Sequence, residues 1–161
     1  MNLRPLSLIA GLLLLAACSQ NPATNANGNG NTGAGNTTQS SIVPGSAQDF
    51  QQNVGDRVFF DTDKSTIKPE GQQTLQRQAE WLKRYPNVTV TVEGHCDDRG
   101  TREYNLALGD RRATAVQRAL VALGVQANRV KTISYGKERP AVLGDNEAAW
   151  AQNRRGVTVI N

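Results

Sequence analysis

The chemistry of this sequence concentrates between Glu93 and Arg112. Gly94-His95-Cys96-Asp97 leads out of a valine-rich run into Asp98-Arg99-Gly100-Thr101, and Asn105, Leu108 and Arg112 follow. Spaced i, i+3 and i+7, these last three fall on one face of a helix. A carboxylate at Asp97 beside the start of that helix and a guanidinium at Arg112 can flank one pocket. Such a pair is able to receive a zwitterion, the carboxylate taking an ammonium and the guanidinium taking a carboxylate by two parallel hydrogen bonds. The same two residues can equally form a plain salt bridge tying loop to helix, and spacing does not separate the two arrangements.

Other chemistries fit less well. His95 and Cys96 would have to act as a nucleophilic pair, yet neighbours at a strand end point to opposite sides. His95 is the only histidine, which leaves a zinc site short of its usual ligands. Asp61-Thr62-Asp63-Lys64-Ser65 begins like a calcium loop, but Thr66 stands where glycine is required and Gln72 where glutamate is. The sequence therefore points to binding without catalysis, and to no cofactor. All 14 acidic residues, and every basic residue except Arg4, lie at or after Asp49. The two signs alternate, as in Asp97-Asp98-Arg99-Gly100-Thr101-Arg102-Glu103, so no basic stripe marks a nucleic-acid surface.

The elements that must position these groups read from periodicity. Arg57-Val58-Phe59-Phe60 suggests a short strand. Pro69 suits a first helical turn, and Leu75, Ala79, Leu82 and Tyr85 recur at helical spacing until Pro86 stops the helix. Val88 to Glu93 alternates strictly, with three valines on one face, and reads as a half-buried strand. Thr101 is an N-cap candidate, with Glu103 near the positive end of the helix dipole. That helix runs through Ala113, Val116 and Leu120 to Leu123, with Gly124 just beyond it. Val130 to Tyr135 is a strand, Asn146 to Arg154 a short helix, and Val157 to Ile160 the last strand. This order predicts an α+β fold, a two-layer sandwich with a mixed four-stranded sheet and helices on one face. The aromatic residues Trp81 and Tyr85 are expected in the core; Trp150 is too, although its place among Asn153, Arg154 and Arg155 near the last strand leaves a different role open.

Ahead of the domain lies a different kind of chain. Arg4 precedes a largely apolar stretch, Leu6 to Ala17, too short to cross roughly 30 Å of hydrocarbon as a helix. It reads as a signal peptide over residues 1–17. Leu15-Ala16-Ala17-Cys18 resembles the bacterial lipobox, in which the cysteine is lipidated and becomes the mature N-terminus; the alternative is an ordinary secretory signal with a chance cysteine. Residues 18–48 then read as the lipidated N-terminus and a linker with no charged residue, rich in Asn, Gly and Thr. Such a coil reaches on the order of 30 Å, or about 100 Å when stretched. The folded domain is assigned to 49–161. With Cys18 acylated, Cys96 has no intrachain partner, so the fold must hold by its core. Asn36-Thr37-Thr38 and Asn87-Val88-Thr89 match a glycosylation pattern that a bacterial lipoprotein would not use.

Gly100-Thr101-Arg102-Glu103-Tyr104-Asn105-Leu106-Ala107-Leu108-Gly109-Asp110-Arg111-Arg112-Ala113 resembles the signature of OmpA-like peptidoglycan-binding domains. Within that family it is similar to the lipoproteins of the Tol–Pal system. The resemblance extends from Phe59-Phe60-Asp61-Thr62-Asp63-Lys64-Ser65 through Ser134-Tyr135-Gly136-Lys137-Glu138-Arg139-Pro140 to Ala149-Trp150-Ala151-Gln152-Asn153-Arg154-Arg155. It implies that the ligand is the diaminopimelate of the peptidoglycan peptide stem, with Asp97 on its ammonium and Arg112 on its carboxylates. It implies that Thr62 and Asp63 line the pocket, and that Arg99, Thr101, Asn105 and Leu108 support it. Cys96 departs from the pattern, since relatives carry a small hydroxyl residue there. The resemblance further implies an outer-membrane lipoprotein facing the periplasm, Ser19 rather than aspartate following Cys18. It also implies a second partner, the periplasmic β-propeller protein of the Tol system. The competing reading is a protein-interaction module of the same fold for which that partner matters more than the wall.

Overall fold

The computed structural model describes residues 42–161. The signal segment, Cys18 and most of the expected linker lie outside the described residues. Among the described residues, regular structure is already present before Asp49. Ser46 Oγ accepts the Asp49 N–H at 3.1 Å and caps helix α1 (Ala47–Asp49), which runs on as a wider helical turn through Val54. This turn buries Phe50 and Val54, and the Asp49 carboxylate accepts Trp81 Nε1–H at 2.9 Å. So short a helix shows no periodicity in the sequence, and its anchor is a residue far down the chain.

Strand β1 (Arg57–Phe59) leads to helix α2 (Pro69–Arg84), whose Leu75, Ala79 and Leu82 are buried as their spacing predicts. Strand β2 (Val90–His95) begins two residues later than expected. Val88 leaves the ladder because its N–H is taken by Tyr85 O and its carbonyl by the Arg129 guanidinium. Helix α3 (Arg102–Ala122) is capped by Thr101, whose Oγ1 accepts the Tyr104 N–H at 3.2 Å. It crosses back to strand β3 (Val130–Gly136), which pairs with β2 in parallel, as a helical crossover allows. Helix α4 (Glu147–Asn153) is capped by Asn146 and feeds strand β4 (Arg155–Ile160).

The sheet order is β1-β4-β2-β3, with β4 antiparallel to both its neighbours. This is the mixed four-stranded sheet predicted. Val58, Val90, Val92 and Val130 face Leu75, Leu82, Val116 and Leu120 across a single apolar layer. The last strand starts earlier than expected because Arg155 and Gly156 pair with Phe59 and Val58.

One close approach sets the position of α3. A Cβ on Gly94 would lie 1.8 Å from the Gly109 carbonyl oxygen, and one on Gly109 would lie 2.3 Å from Ser134 Oγ. Only paired glycines let the helix press on the strand end, and this delivers Asn105, Leu108 and Arg112 to the point where β2 runs out.

Candidate functional site

Two residues beyond the end of β2, the Asp97 carboxylate meets two guanidinium groups. Arg99 reaches Oδ2 with Nη2 at 2.7 Å and Oδ1 with Nε at 3.3 Å, and its backbone N–H lies 3.4 Å from Oδ1. Arg154 Nη1 donates to Oδ2 at 3.3 Å. Burial alone would favour the neutral acid, but the hydrogen bonds from Arg99 and Arg154 outweigh it and hold Asp97 below the usual carboxylate range. Arg154 comes from the α4–β4 junction, is buried, and also donates to Phe60 O at 3.1 Å and to Glu147 Oε1.

Arg112 is built differently. Its side chain is 0% exposed, yet it donates only to backbone carbonyls: Lys64 O at 2.9 Å, His95 O at 2.8 Å and Asp61 O at 3.0 Å. Its guanidinium carbon sits 5.2 Å from the centre of the Phe60 ring. No carboxylate among the described residues pairs with it, and the direct Asp97–Arg112 salt bridge that spacing allowed does not form. Desolvation by burial lowers the Arg112 pKa from its ordinary value. A buried cation without a counter-ion is costly.

Arg112 also shapes the loop after β1. By holding the carbonyls of Asp61 and Lys64 it fixes a turn in which Asp63 adopts φ 55°, a left-handed conformation that aspartate tolerates better than most residues. Thr62 Oγ1, on the exposed side of this loop, accepts from Arg99 Nη2 at 3.3 Å. Asn105 is buried and supports the opposite wall, its Nδ2 donating to Arg99 O at 2.7 Å and Thr101 O at 3.0 Å. The structure therefore brings Asp97, Arg99 and Thr62 into direct contact, with Arg112 beneath the Thr62–Asp63 turn. Thr101, Asn105 and Leu108 act from behind: a cap, a brace and a buried apolar contact.

Three residues entered the sequence reading without a site role. Arg154 completes the shell around Asp97. Trp150, expected in the core, is only partly buried and carries the Arg99 guanidinium over its ring at 4.2 Å. Lys137 Nζ donates to Asp98 O at 3.0 Å and Gly100 O at 2.7 Å, bracing the loop from outside. The one available signal was the arginine pair immediately ahead of an apolar strand, Arg154-Arg155.

His95 and Cys96 do turn to opposite sides. The Cys96 thiol donates to Asn105 O at 3.3 Å, and burial pushes its pKa up, away from the thiolate a nucleophile needs. His95 lies on the other face of the sheet against Tyr135, with Nε2 3.4 Å from Glu93 Oε2. Burial and the nearby positive charge of Arg155 lower its pKa to about 4, so the ring is neutral at pH 7. In the same loop Asp61 pairs with Lys68 at 3.3 Å and Lys64 at 3.9 Å. Among the described residues no cluster of three His, Cys, Asp or Glu side chains could hold a metal ion.

Comparison with known proteins identifies the family and the fold. The OmpA family model matches residues 59–154. The peptidoglycan-associated lipoprotein of Agrobacterium fabrum (strain C58) is 57% identical over 148 residues, covering 92% of this chain and 82% of that protein. That of Brucella melitensis biotype 1 is 51% identical over 156 residues, 97% of this chain and 90% of the relative. Among solved structures, the peptidoglycan-associated lipoprotein from Burkholderia pseudomallei matches with a TM-score of 0.64 and 46% identity, over 66% of this chain and 90% of that one.

Proposed function

We propose that this chain, which belongs to the OmpA family and within it to the peptidoglycan-associated lipoproteins, holds peptidoglycan without covalent chemistry by the diaminopimelate of its peptide stem. The observation that carries this reading is the pairing of two unlike charges at one strand end: a carboxylate at Asp97, and a wholly buried arginine at Arg112 that lacks a counter-ion. The end of the diaminopimelate side chain bears an ammonium and a carboxylate. Asp97 accepts from the ammonium. Arg112 is fully enclosed and acts through its charge: a ligand carboxylate received by the turn above it supplies the missing negative charge. The Thr62–Asp63 turn offers backbone N–H groups at the rim.

A lipid on Cys18 anchors the other end in the outer membrane, and the uncharged linker spans the gap, on the order of 30 to 100 Å. Several acyl chains, as bacterial lipoproteins carry, make such an anchor durable where one chain would not. The domain then faces the periplasm and ties membrane to wall as part of the Tol–Pal system, in envelope integrity and constriction at division. Its second partner there is the periplasmic β-propeller protein. Tyr104 and Leu106, exposed early in α3 beside the site, supply apolar surface for such a contact. A protein seated there would compete with the wall.

The direct test is sedimentation of the full-length Asp97→Ala variant with purified sacculi. Loss of co-sedimentation with an unchanged far-UV circular dichroism spectrum is expected; retention at the wild-type level would refute the assignment. Arg112→Ala is the poorer probe, because three backbone carbonyls would lose their donor and the loop its shape.

A further inference from the structure

The Asp97 carboxylate is not vacant in this structure. Its side chain is 10% exposed, and both of its oxygens already face cations. Arg154, with a side chain 7% exposed, is locked by Phe60 O and Glu147 as well as by Asp97, and moving it would strip a buried carbonyl of its donor. Arg99 is the opposite case. Its side chain is 39% exposed, and its remaining contacts are the Thr62 hydroxyl and the face of the Trp150 ring. A ligand ammonium arriving at Asp97 therefore has two routes. It joins as a third cation around one carboxylate, or it takes the place of the guanidinium that can leave. The first crowds like charges in a partly buried site. The second exchanges one ion pair for another at the same carboxylate, and only the half-exposed Arg99 side chain has to move.

We propose that Arg99 is an internal stand-in for the ligand ammonium, a latch on Asp97 that must swing off the carboxylate and the Trp150 ring before the diaminopimelate is seated. This rests on the diaminopimelate reading above and deepens it. The consequence is selectivity. An amine without a neighbouring carboxylate replaces one cation by another and gains nothing, because the tethered guanidinium competes at high effective concentration. A zwitterion displaces the latch and also meets the charge of Arg112, so it alone shows a net gain. Trp150 holds the closed latch by a cation–π contact, which breaks when the ligand displaces the guanidinium.

Removing the latch should therefore tighten binding. The full-length lipoprotein in detergent is titrated calorimetrically with the tripeptide L-Ala-D-Glu-meso-diaminopimelate, for the wild type, Arg99→Ala and Asp97→Ala. Arg99→Ala is expected to bind at least threefold more tightly. The ligand-induced change in tryptophan emission seen for the wild type should vanish in Arg99→Ala and in Trp150→Phe. Affinity in Arg99→Ala equal to or weaker than the wild type would overturn the latch, provided Asp97→Ala has lost binding. Should Asp97→Ala bind like the wild type, the site assignment itself fails, and the latch with it.

Discussion

The two ends of the sheet are stabilised by opposite means. Between α2, α3 and the sheet lies a dry layer in which Leu75, Leu82, Val90, Val92, Val116 and Leu120 are almost wholly inaccessible to water. Beyond β2 the same helix α3 delivers, about one to three turns ahead of Val116, Arg112 and Asn105 into a place just as deeply buried but made of carbonyls and charge. Burial is favourable in the first region. In the second it is a cost, offset by hydrogen bonds that leave one carboxylate and one guanidinium unequally compensated. Asp97 has two counter-ions and Arg112 none. That inequality is what a stable core would remove and what a binding site requires.

The difference can be broken most severely where the regions join. Gly94→Ala would set its methyl 1.8 Å from the Gly109 carbonyl oxygen, so helix and strand must separate. Unfolding in urea should show a loss of at least about 3 kcal/mol, and sacculus binding should fall with it. In the dry layer, Leu82→Ala should cost about 3 kcal/mol through lost burial and a residual cavity. Sacculus binding by the folded fraction should stay at the wild-type level, because Leu82 lies far from the charges it would need to disturb.

A pH effect sharpens the contrast from the other side. His95 binds its proton with a pKa lowered from 6.5 to about 4, because burial and the positive charge of Arg155 disfavour the imidazolium. The unfolded chain takes up that proton at higher pH than the folded one. Stability is therefore complete above pH 6.5, declines as pH falls toward 4, and is reduced by about 3 kcal/mol at still lower pH. Thermal unfolding across this range should show the decline, and His95→Gln should flatten it. Asp97 behaves differently: held ionised by Arg99 and Arg154, it loses its contribution only as pH falls below the usual carboxylate range.

How much of this was legible in the sequence follows from distance along the chain. The α3 face of Asn105, Leu108 and Arg112 was readable because helical spacing places all three without reference to the rest of the fold. The strand around Val90 was readable by alternation, although its start was not, because Arg129 captures the Val88 carbonyl from across the fold. Arg154 was not readable as Asp97's partner. It reaches the site only because β4, last in sequence, inserts between β1 and β2. The same insertion brings Trp150 under Arg99. Spacing had left open whether Asp97 and Arg112 pair with each other. They do not: the loop carbonyls of Asp61 and Lys64 claim the guanidinium first, which no local pattern could reveal.

Arg112 lies at the proposed carboxylate seat, and amidation of the ligand tests that assignment most directly. Amidating the diaminopimelate carboxylate removes that negative charge while leaving the ammonium for Asp97. Calorimetric titration of the full-length lipoprotein with free and amidated stem peptides should show affinity at least about tenfold weaker for the amide, a difference of about 1.4 kcal/mol. Equal affinity for the two peptides would contradict the account.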